Sequence, residues 1–375
     1  MIPHTQDSPM RCFNVSVIAQ QSVPLHAEAN STKGSATDPD QWYTVRMSLA
    51  VVISLISAGG VLGNVLVIAS VCLSRKLRTV TNVFVTNLSI TDLITCLTMP
   101  VQVAALLDDS YFGSALPKSL CVLVGGSNYT LTATSVFTLV LIAFNRWSLV
   151  TRSKSMYVKT FTPRRNAFFL SFVWISPIVI MIIVDRSGLS KAGYSSMYRL
   201  CTLNIAKYGI AGYAQAGGLA VLCFLVIAVF YALIYRHVSK RKRRLHSCNG
   251  SRVSSVQNLE SCESDSSVAR LPKIMTKTQR AETRVTINMF IIVCAFLVCI
   301  VPFSISILIP VRRHAYIYTF IPLFLNSAIN PLIYANMHPI FRHVFVCLLQ
   351  GKYNEIPEPS SLLRRLCLTS KGGLY

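Results

Sequence analysis

The sequence predicts an all-α membrane protein, a bundle of seven transmembrane helices. Three observations carry that prediction. The chain of 375 residues is 52% hydrophobic and only 13% charged, with a mean hydropathy of +0.51, whereas soluble domains carry about 25% charged residues. Seven apolar runs are each long enough to cross about 30 Å of hydrocarbon, which takes about 20 residues of helix. The net charge of +22 is confined to the gaps between those runs. Membrane orientation produces that pattern; a nucleic-acid-binding face would not, so no nucleic-acid partner is expected.

The runs fall at 45–73, 80–107, 119–144, 166–184, 208–235, 285–310 and 315–336. Before the first lies a polar segment, 1–43, rich in Pro, Ser, Thr and Asp and expected to be disordered. It has no apolar stretch of the signal-peptide kind, so the first run is expected to act as its own insertion signal. It carries two glycosylation sequons, Asn14 and Asn30; a third at Asn128 lies inside the third run, out of reach. The fourth run is the shortest and holds the lone Trp174. After the fifth comes SKRKRRLH and then a Ser-rich stretch, a basic loop over 237–284 expected to be disordered, its start held against anionic lipid. The seventh run contains Pro322 and Pro331, tolerable in a membrane helix packed against neighbours. Residues 351–375 form a cytoplasmic tail.

Orientation follows from Lys and Arg. The gaps after the first, third and fifth runs, with the C-terminal tail, hold 26 of the 36 basic residues, and the basic-rich side is cytoplasmic. The N-terminus is therefore expected outside the plasma membrane and the C-terminus inside. Most of the 12 cysteines lie in the runs or on the reducing side. Cys12, Cys121 and Cys201 are the exceptions. Cys121 opens the third run and Cys201 lies in the loop between the fourth and fifth, so a bridge between them is chemically available, leaving Cys12 over.

Polar groups inside the membrane are expensive and point to function. At 1.5 Å per residue, Asp92 lies roughly 18 Å above the cytoplasmic end of the second run, Asn64 roughly 13 Å up the first and Ser135 roughly 16 Å above Arg146 in the third. Asn326 and Asn330 lie roughly 15 and 9 Å up the seventh. One carboxylate and four neutral oxygen-bearing side chains thus share a layer. That set suits a small cation such as Na⁺ at Asp92; the alternative is a purely structural network around a protonated acid. No other metal or cofactor is expected.

Arg146 lies roughly 37 Å along the helix from Cys121, hence at the inner face. It can snorkel to lipid phosphates. It also has a candidate partner. Glu282 is the sole acid between Asp265 and Glu355, and it lies at the same level of the sixth run. An Arg146–Glu282 pair would tie the third and sixth runs in a breakable latch.

These residues in this order resemble the rhodopsin-like (class A) G-protein-coupled receptors over roughly residues 45–350: GNVLVI with Asn64, NLSITDL with Asp92, Cys121, NRW with Arg146, Trp174, VPF with Pro302, and NPLIY with Asn330, Pro331 and Tyr334. The resemblance implies a Cys121–Cys201 disulfide. It also implies a short amphipathic eighth helix over 337–350, read in HPIFRHVF, with Cys347 as a palmitoylation candidate. The implied partners are a heterotrimeric G protein, arrestin, receptor kinases, membrane lipid and an extracellular ligand. Asn145, Arg146, Trp147, Tyr231 and Glu282 are implied in coupling and switching. Within the class, FNRW, KLRT, FYALIY and RVTINMF resemble the melatonin receptors and the moody and trapped-in-endoderm receptors.

Some positions depart from the family. Ile300 stands where a Trp is usual and Cys223 where a proline is usual, both in the activation relay. Asn128 stands where amine receptors carry an aspartate, so an aminergic ligand is not expected. The seventh run lacks the lysine a retinal Schiff base needs. The outer ends of the helices offer Asn128, Tyr129, Thr132 and Arg199, with Ile300 below them and Asp185, Arg312 and Arg313 nearby. The arginines suit an anionic ligand or are solvated loop charges; an apolar pocket suits an indole. A transporter or channel would show repeated halves or a ring of midplane charge, and neither is visible. No HExxH, paired aspartates or buried Ser/Lys pair suggests an intramembrane enzyme. The expected function is therefore a non-enzymatic receptor that passes a ligand signal to a G protein through a change in the bundle.

Overall fold

The computed structural model describes residues 39–108, 117–188, 190–196, 198–203, 209–253, 270–308 and 316–364. Of residues 1–43, which form a unit of their own, only the helix start from Pro39 is described. Asn14, Asn30 and Cys12 lie outside the described residues, as do Arg312 and Arg313.

Seven helices are long and apolar enough to cross a membrane. They are α1 (Pro39–Leu73), α2 (Val80–Leu107), α3 (Lys118–Thr151), α5 (Pro163–Ser187), α6 (Gly209–Val253), α7 (Arg270–Leu308) and α8 (Phe320–Met337). A short α4 (Lys154–Thr160) follows α3, and α9 (Pro339–Leu349) follows α8. The starts are written locally. Thr79, Ser153 and Thr162 each accept a backbone N–H two or three residues inside the helix that follows, satisfying donors that have no intrahelical partner. Pro163 and Pro339 occupy first-turn positions, where the missing N–H is not needed.

Several boundaries differ from expectation. The third span runs past residue 144 to Thr151, so Arg146 lies within a helix and not at its end; nothing in NRWSLVT breaks a helix. α6 continues to Val253 and α7 begins at Arg270, so much of 237–284 is helical, Lys and Arg being good helix formers. α8 starts at Phe320, behind a 3-10 turn over Tyr316–Thr319.

Three further features were not expected. One is α4. Another is a hairpin between α5 and α6, strands β1 (Ala192–Ser195) and β2 (Leu200–Leu203), antiparallel with Tyr194 opposite Cys201. The third is the tail after α9, which turns at Gly351 (φ 69°) and docks on residues 73–75.

α3 is the most buried span and packs on α2, α5, α6, α7 and both strands. The lower core joins Phe84, Leu88, Leu139, Ile142, Ile227, Phe296 and Tyr334. α1 meets α8 at a tight crossing. A Cβ on Gly63 would stand 2.8 Å from Pro331 Cβ and 2.9 Å from its Cγ, and a proline ring cannot rotate away. Gly63→Ala should therefore cost roughly 1–3 kcal/mol by overpacking. The detergent-solubilised receptor should melt several degrees lower, whereas an unchanged melting temperature would mean the two helices have slack.

Candidate functional site

At the outer end the Cys121–Cys201 disulfide is formed, with Cα atoms 5.1 Å apart and 80 residues between them. Closing so long a loop stabilises by about 4 kcal/mol in the chain-entropy model. Gln102 completes the anchor, a role not evident from sequence. Its Nε2 donates to the Cys201 carbonyl at 2.8 Å, and Cys201 N–H donates to its Oε1 at 2.9 Å. The hairpin lies so close to α3 that a Cβ on Gly125 would stand 3.0 Å from Thr202 N. Below it, Thr98 donates to Asn128 Oδ1 at 2.8 Å and Thr132 to Asn128 O at 2.8 Å. Asn128, Tyr129, Thr132, Arg199 and Ile300 are all half-buried. Arg199 adopts a left-handed backbone, φ 52°, and its N–H donates to Ser195 O at 2.7 Å.

In the central layer Asn330 Nδ2 donates to Asp92 Oδ2 at 2.8 Å, and the Ser327 hydroxyl is a second side-chain partner of Asp92. Asn64 Nδ2 donates to Ser327 O and to Gly60 O, each at 2.9 Å. Asn64 and Asn326 keep their Oδ1 atoms buried without a hydrogen-bond partner among the described residues. Ser135, by contrast, is tied to Thr91, oxygen to oxygen 2.9 Å, and not to the carboxylate. One turn below, Trp174 Nε1 donates to Asn87 Oδ1 at 2.9 Å and Asn87 Nδ2 to Thr138 Oγ1 at 2.9 Å. Trp174 thus fastens α5 to α2 and, through Asn87, to α3.

At the inner end Asn145 is fully buried. Thr81 donates to its Oδ1 at 2.8 Å, and its Nδ2 donates to the Tyr157 hydroxyl at 3.1 Å. It therefore fastens α3 to α2 and α4. Arg146 is 4% exposed. Trp147 stacks on Phe144 and Phe230, with the Arg152 guanidinium 4.8 Å above its ring. Tyr231 packs on Phe290 at 5.0 Å. Tyr334 is stacked on Phe341 at 5.6 Å. The side chain of Glu282 lies outside the described residues, so the Arg146–Glu282 latch stays an expectation. Cys223 is buried beside Phe224, which packs on Phe296 at 5.9 Å. Cys347 is 2% exposed and packs in the lower core with Ile356 and Leu363 of the docked tail.

Residues 63–334 match the family described as 7 transmembrane receptor (rhodopsin family). The chain is 28% identical to the 5-hydroxytryptamine receptor 1D of Homo sapiens, over 88% of this chain and 97% of that one. It is 26% identical to the 5-hydroxytryptamine receptor 1B of Cavia porcellus, over 91% and 97%. Among solved structures it resembles squid rhodopsin with a TM-score of 0.66 at 20% identity, covering 86% of this chain and 90% of that one.

His338, between α8 and α9, caps α9 by accepting Phe341 N–H at Nδ1, 3.5 Å away. Burial and, behind it, the charge of Arg146 hold its pKa below the ordinary 6.5. The unfolded chain therefore takes up this proton first. The His338 contribution to stability is complete above pH 6.5 and is lost as the pH falls through the lower, folded value. His338→Asn keeps a side-chain cap without titrating. Melting curves below pH 6.5 should show a smaller acid loss for this variant than for the parent; parallel curves would clear His338 of the role.

Proposed function

The chain belongs to the 7 transmembrane receptor (rhodopsin family) and is a multi-pass G-protein-coupled receptor of the plasma membrane; from that premise we propose that its ligand is held without an ammonium–carboxylate pair, as in the melatonin-like branch of the family. The family match does not favour a transporter. The carrying observation is Asn128, a neutral amide whose Oδ1 is already engaged by Thr98 at 2.8 Å. An ammonium group brought there would be desolvated with no charge to meet it. The relatives are named for an amine, 5-hydroxytryptamine; the chemistry at Asn128 suits an uncharged, hydrogen-bonding ligand such as an N-acylated indole. Nucleotide exchange on a co-expressed G protein tests this. An N-acylated indole should act and 5-hydroxytryptamine should not. A response to 5-hydroxytryptamine that survives Asn128→Leu but not acylation of the amine would overturn the reading.

The signalling reading continues at the two inner layers. The N-terminus is outside; a ligand that binds one state better shifts the bundle, and the inner end of α7 swings away from Arg146 to admit the G protein. Receptor kinases, arrestin and membrane lipid act on the same cytoplasmic face. A Na⁺ ion suits the central layer, because oxygen-rich sites suit hard cations, Asn64 and Asn326 each keep a buried Oδ1 unbonded among the described residues, and Asn64 is tied to Ser327, itself a partner of Asp92. Asp92 would supply the charge and the amides the remaining ligands.

Asp92→Asn should therefore abolish any Na⁺ dependence of agonist affinity at matched surface expression. An identical Na⁺ effect in variant and parent would remove Asp92 as the ion's ligand.

At the inner face Asn145 brings no charge to Arg146, which leaves Glu282 as its acidic restraint. Loss of about 1.4 kcal/mol raises a small active fraction about tenfold. Glu282→Ala should raise ligand-independent nucleotide exchange, Asn145→Asp should lower it, and Arg146→Ala should abolish coupling. A baseline unmoved by both acid-site changes would make Arg146 a lipid anchor instead.

A further inference from the structure

The inner part of α7 carries an inward stripe at helical spacing, Phe296, Ile292 and Asn288, each buried. Two of the three are apolar and the third is an amide. An amide in that place costs free energy unless it is bonded, and Asn288 is bonded. Its Nδ2 donates to the backbone carbonyl of Met337 at 2.9 Å, 49 residues away along the chain. A carbonyl oxygen can only accept, so the amide must present its nitrogen there.

The acceptor is available because α8 is made to stop. The residue before a proline is kept out of the helical region, and His338, before Pro339, is extended at φ −110°, ψ 104°. Its N–H makes the last bond of α8, to Tyr334 O at 3.0 Å. Phe341 N–H, which would reach Met337 O in an unbroken helix, faces His338 Nδ1 at 3.5 Å instead. The Met337 carbonyl is therefore one of the orphans that a helix end carries, and α7 fills it. This joint between α8 and α9 is close enough to Arg146 for its charge to act on the His338 ring. One side-chain bond thus pins the inner part of α7 to the α8–α9 joint, next to the residue that receives the G protein.

We propose, on the reading that α7 swings away from Arg146, that Asn288 is a positioning residue for G-protein coupling: its bond to Met337 holds the inner end of α7 in the uncoupled place, and coupling breaks it. The swing carries the Asn288 side chain away from a carbonyl fixed to α8, so the two cannot stay bonded. Both groups then meet water at the cytoplasmic face. What is lost is only the net worth of one neutral hydrogen bond, which makes the contact a latch that a partner can open. Its chemistry differs from that of an Arg146–Glu282 pair. It carries no charge, so neither salt nor the missing acid at position 145 weakens it.

Basal nucleotide exchange on a co-expressed G protein, at matched surface expression, reads the latch. Asn288→Leu keeps the branching of the side chain and removes the donor; Asn288→Ala removes the donor and the bulk. Both should raise exchange about three- to tenfold. Asn288→Gln retains a donor and should stay nearer the parent than either. Asn288→Gln as active as Asn288→Leu would overturn the part given to the donor. A residue that only caps α8 would lower the melting temperature in the Leu and Ala variants with no gain in exchange, and that pattern overturns the latch. Spin labels at Ile287→Cys on α7 and Met156→Cys on α4, both exposed positions, separate the latch from the swing in a receptor whose other reactive cysteines are serine. Their distance should lengthen when nucleotide-free G protein binds the parent, and Asn288→Leu should populate the longer distance without it. A distance that lengthens with the G protein but ignores Asn288→Leu overturns the latch and leaves the swing standing. A distance that never lengthens overturns both.

Discussion

A polar side chain inside hydrocarbon has to find its partner on another helix, and in this bundle most of those partners are found on α2. Thr81 reaches Asn145 of α3, Asn87 reaches Thr138 of α3 and Trp174 of α5, and Thr91 reaches Ser135. Asp92 meets Asn330 of α8, Thr98 meets Asn128 of α3, and Gln102 holds the backbone of Cys201. The positions advance at helical spacing, so one helix carries a polar seam from the disulfide to the cytoplasm. Each such bond is worth on average about 0.6 kcal/mol in a membrane. Their larger effect is on register, because sliding or rotating α2 would orphan several groups together, and each orphan costs about 1–3 kcal/mol.

That seam explains which parts of the structure were legible in the sequence. Span positions rest on hydropathy, which belongs to each helix alone, and most of their ends were found within a few residues. Asp92, Asn64 and Asn330 stood out because an acid or amide is rare at depth. Thr81, Thr98 and Ser327 did not stand out. Hydroxyl side chains are common in such helices and satisfy themselves on the preceding turn, as Thr132, Thr134 and Thr138 do here. Which hydroxyl turns outward to another helix depends on rotation, and rotation is a property of the assembled bundle. Ser135 likewise turns its hydroxyl to Thr91 of α2, a pairing that rotation decides. The docking of the tail after α9 was invisible for a different one. Its sequence is short, rich in proline and glutamate, and only the spacing of Ile356, Ser360 and Leu363 hints at an inner face.

The inner end shows how a family feature is rebuilt when one charge is lost. Asn145 cannot form an ion pair with Arg146, yet it is better connected than an exposed acid would be. Its amide uses both ends, accepting from Thr81 and donating to Tyr157. A carboxylate could accept from both hydroxyls but would add a charge next to the guanidinium. The substitution therefore keeps the positional role, fixing α4 against α2 and α3, and removes the electrostatic one. Electrostatic restraint of Arg146 is then left to the proposed partner on α7, a helix that none of the seam bonds above reaches.

This division suggests where the bundle yields. α7 carries Pro302 in its interior, where the missing N–H and the ring's clash with the preceding turn weaken the helix. Below the proline, Phe296 packs on Phe224, Phe290 on Tyr231, and Asn288 Nδ2 donates to Met337 O at 2.9 Å. These are ring contacts and a neutral hydrogen bond, each worth about 0.5–1.5 kcal/mol. Ile300 puts an aliphatic side chain near Pro302, and Cys223 leaves α6 without the break a proline would make. One turn below Ile300, Phe296 supplies an aromatic contact to α6. α2 and α3 are stitched by side-chain bonds along their length, whereas the contacts described for α7 below Pro302 are ring contacts and a neutral hydrogen bond. Moving α2 would break the seam.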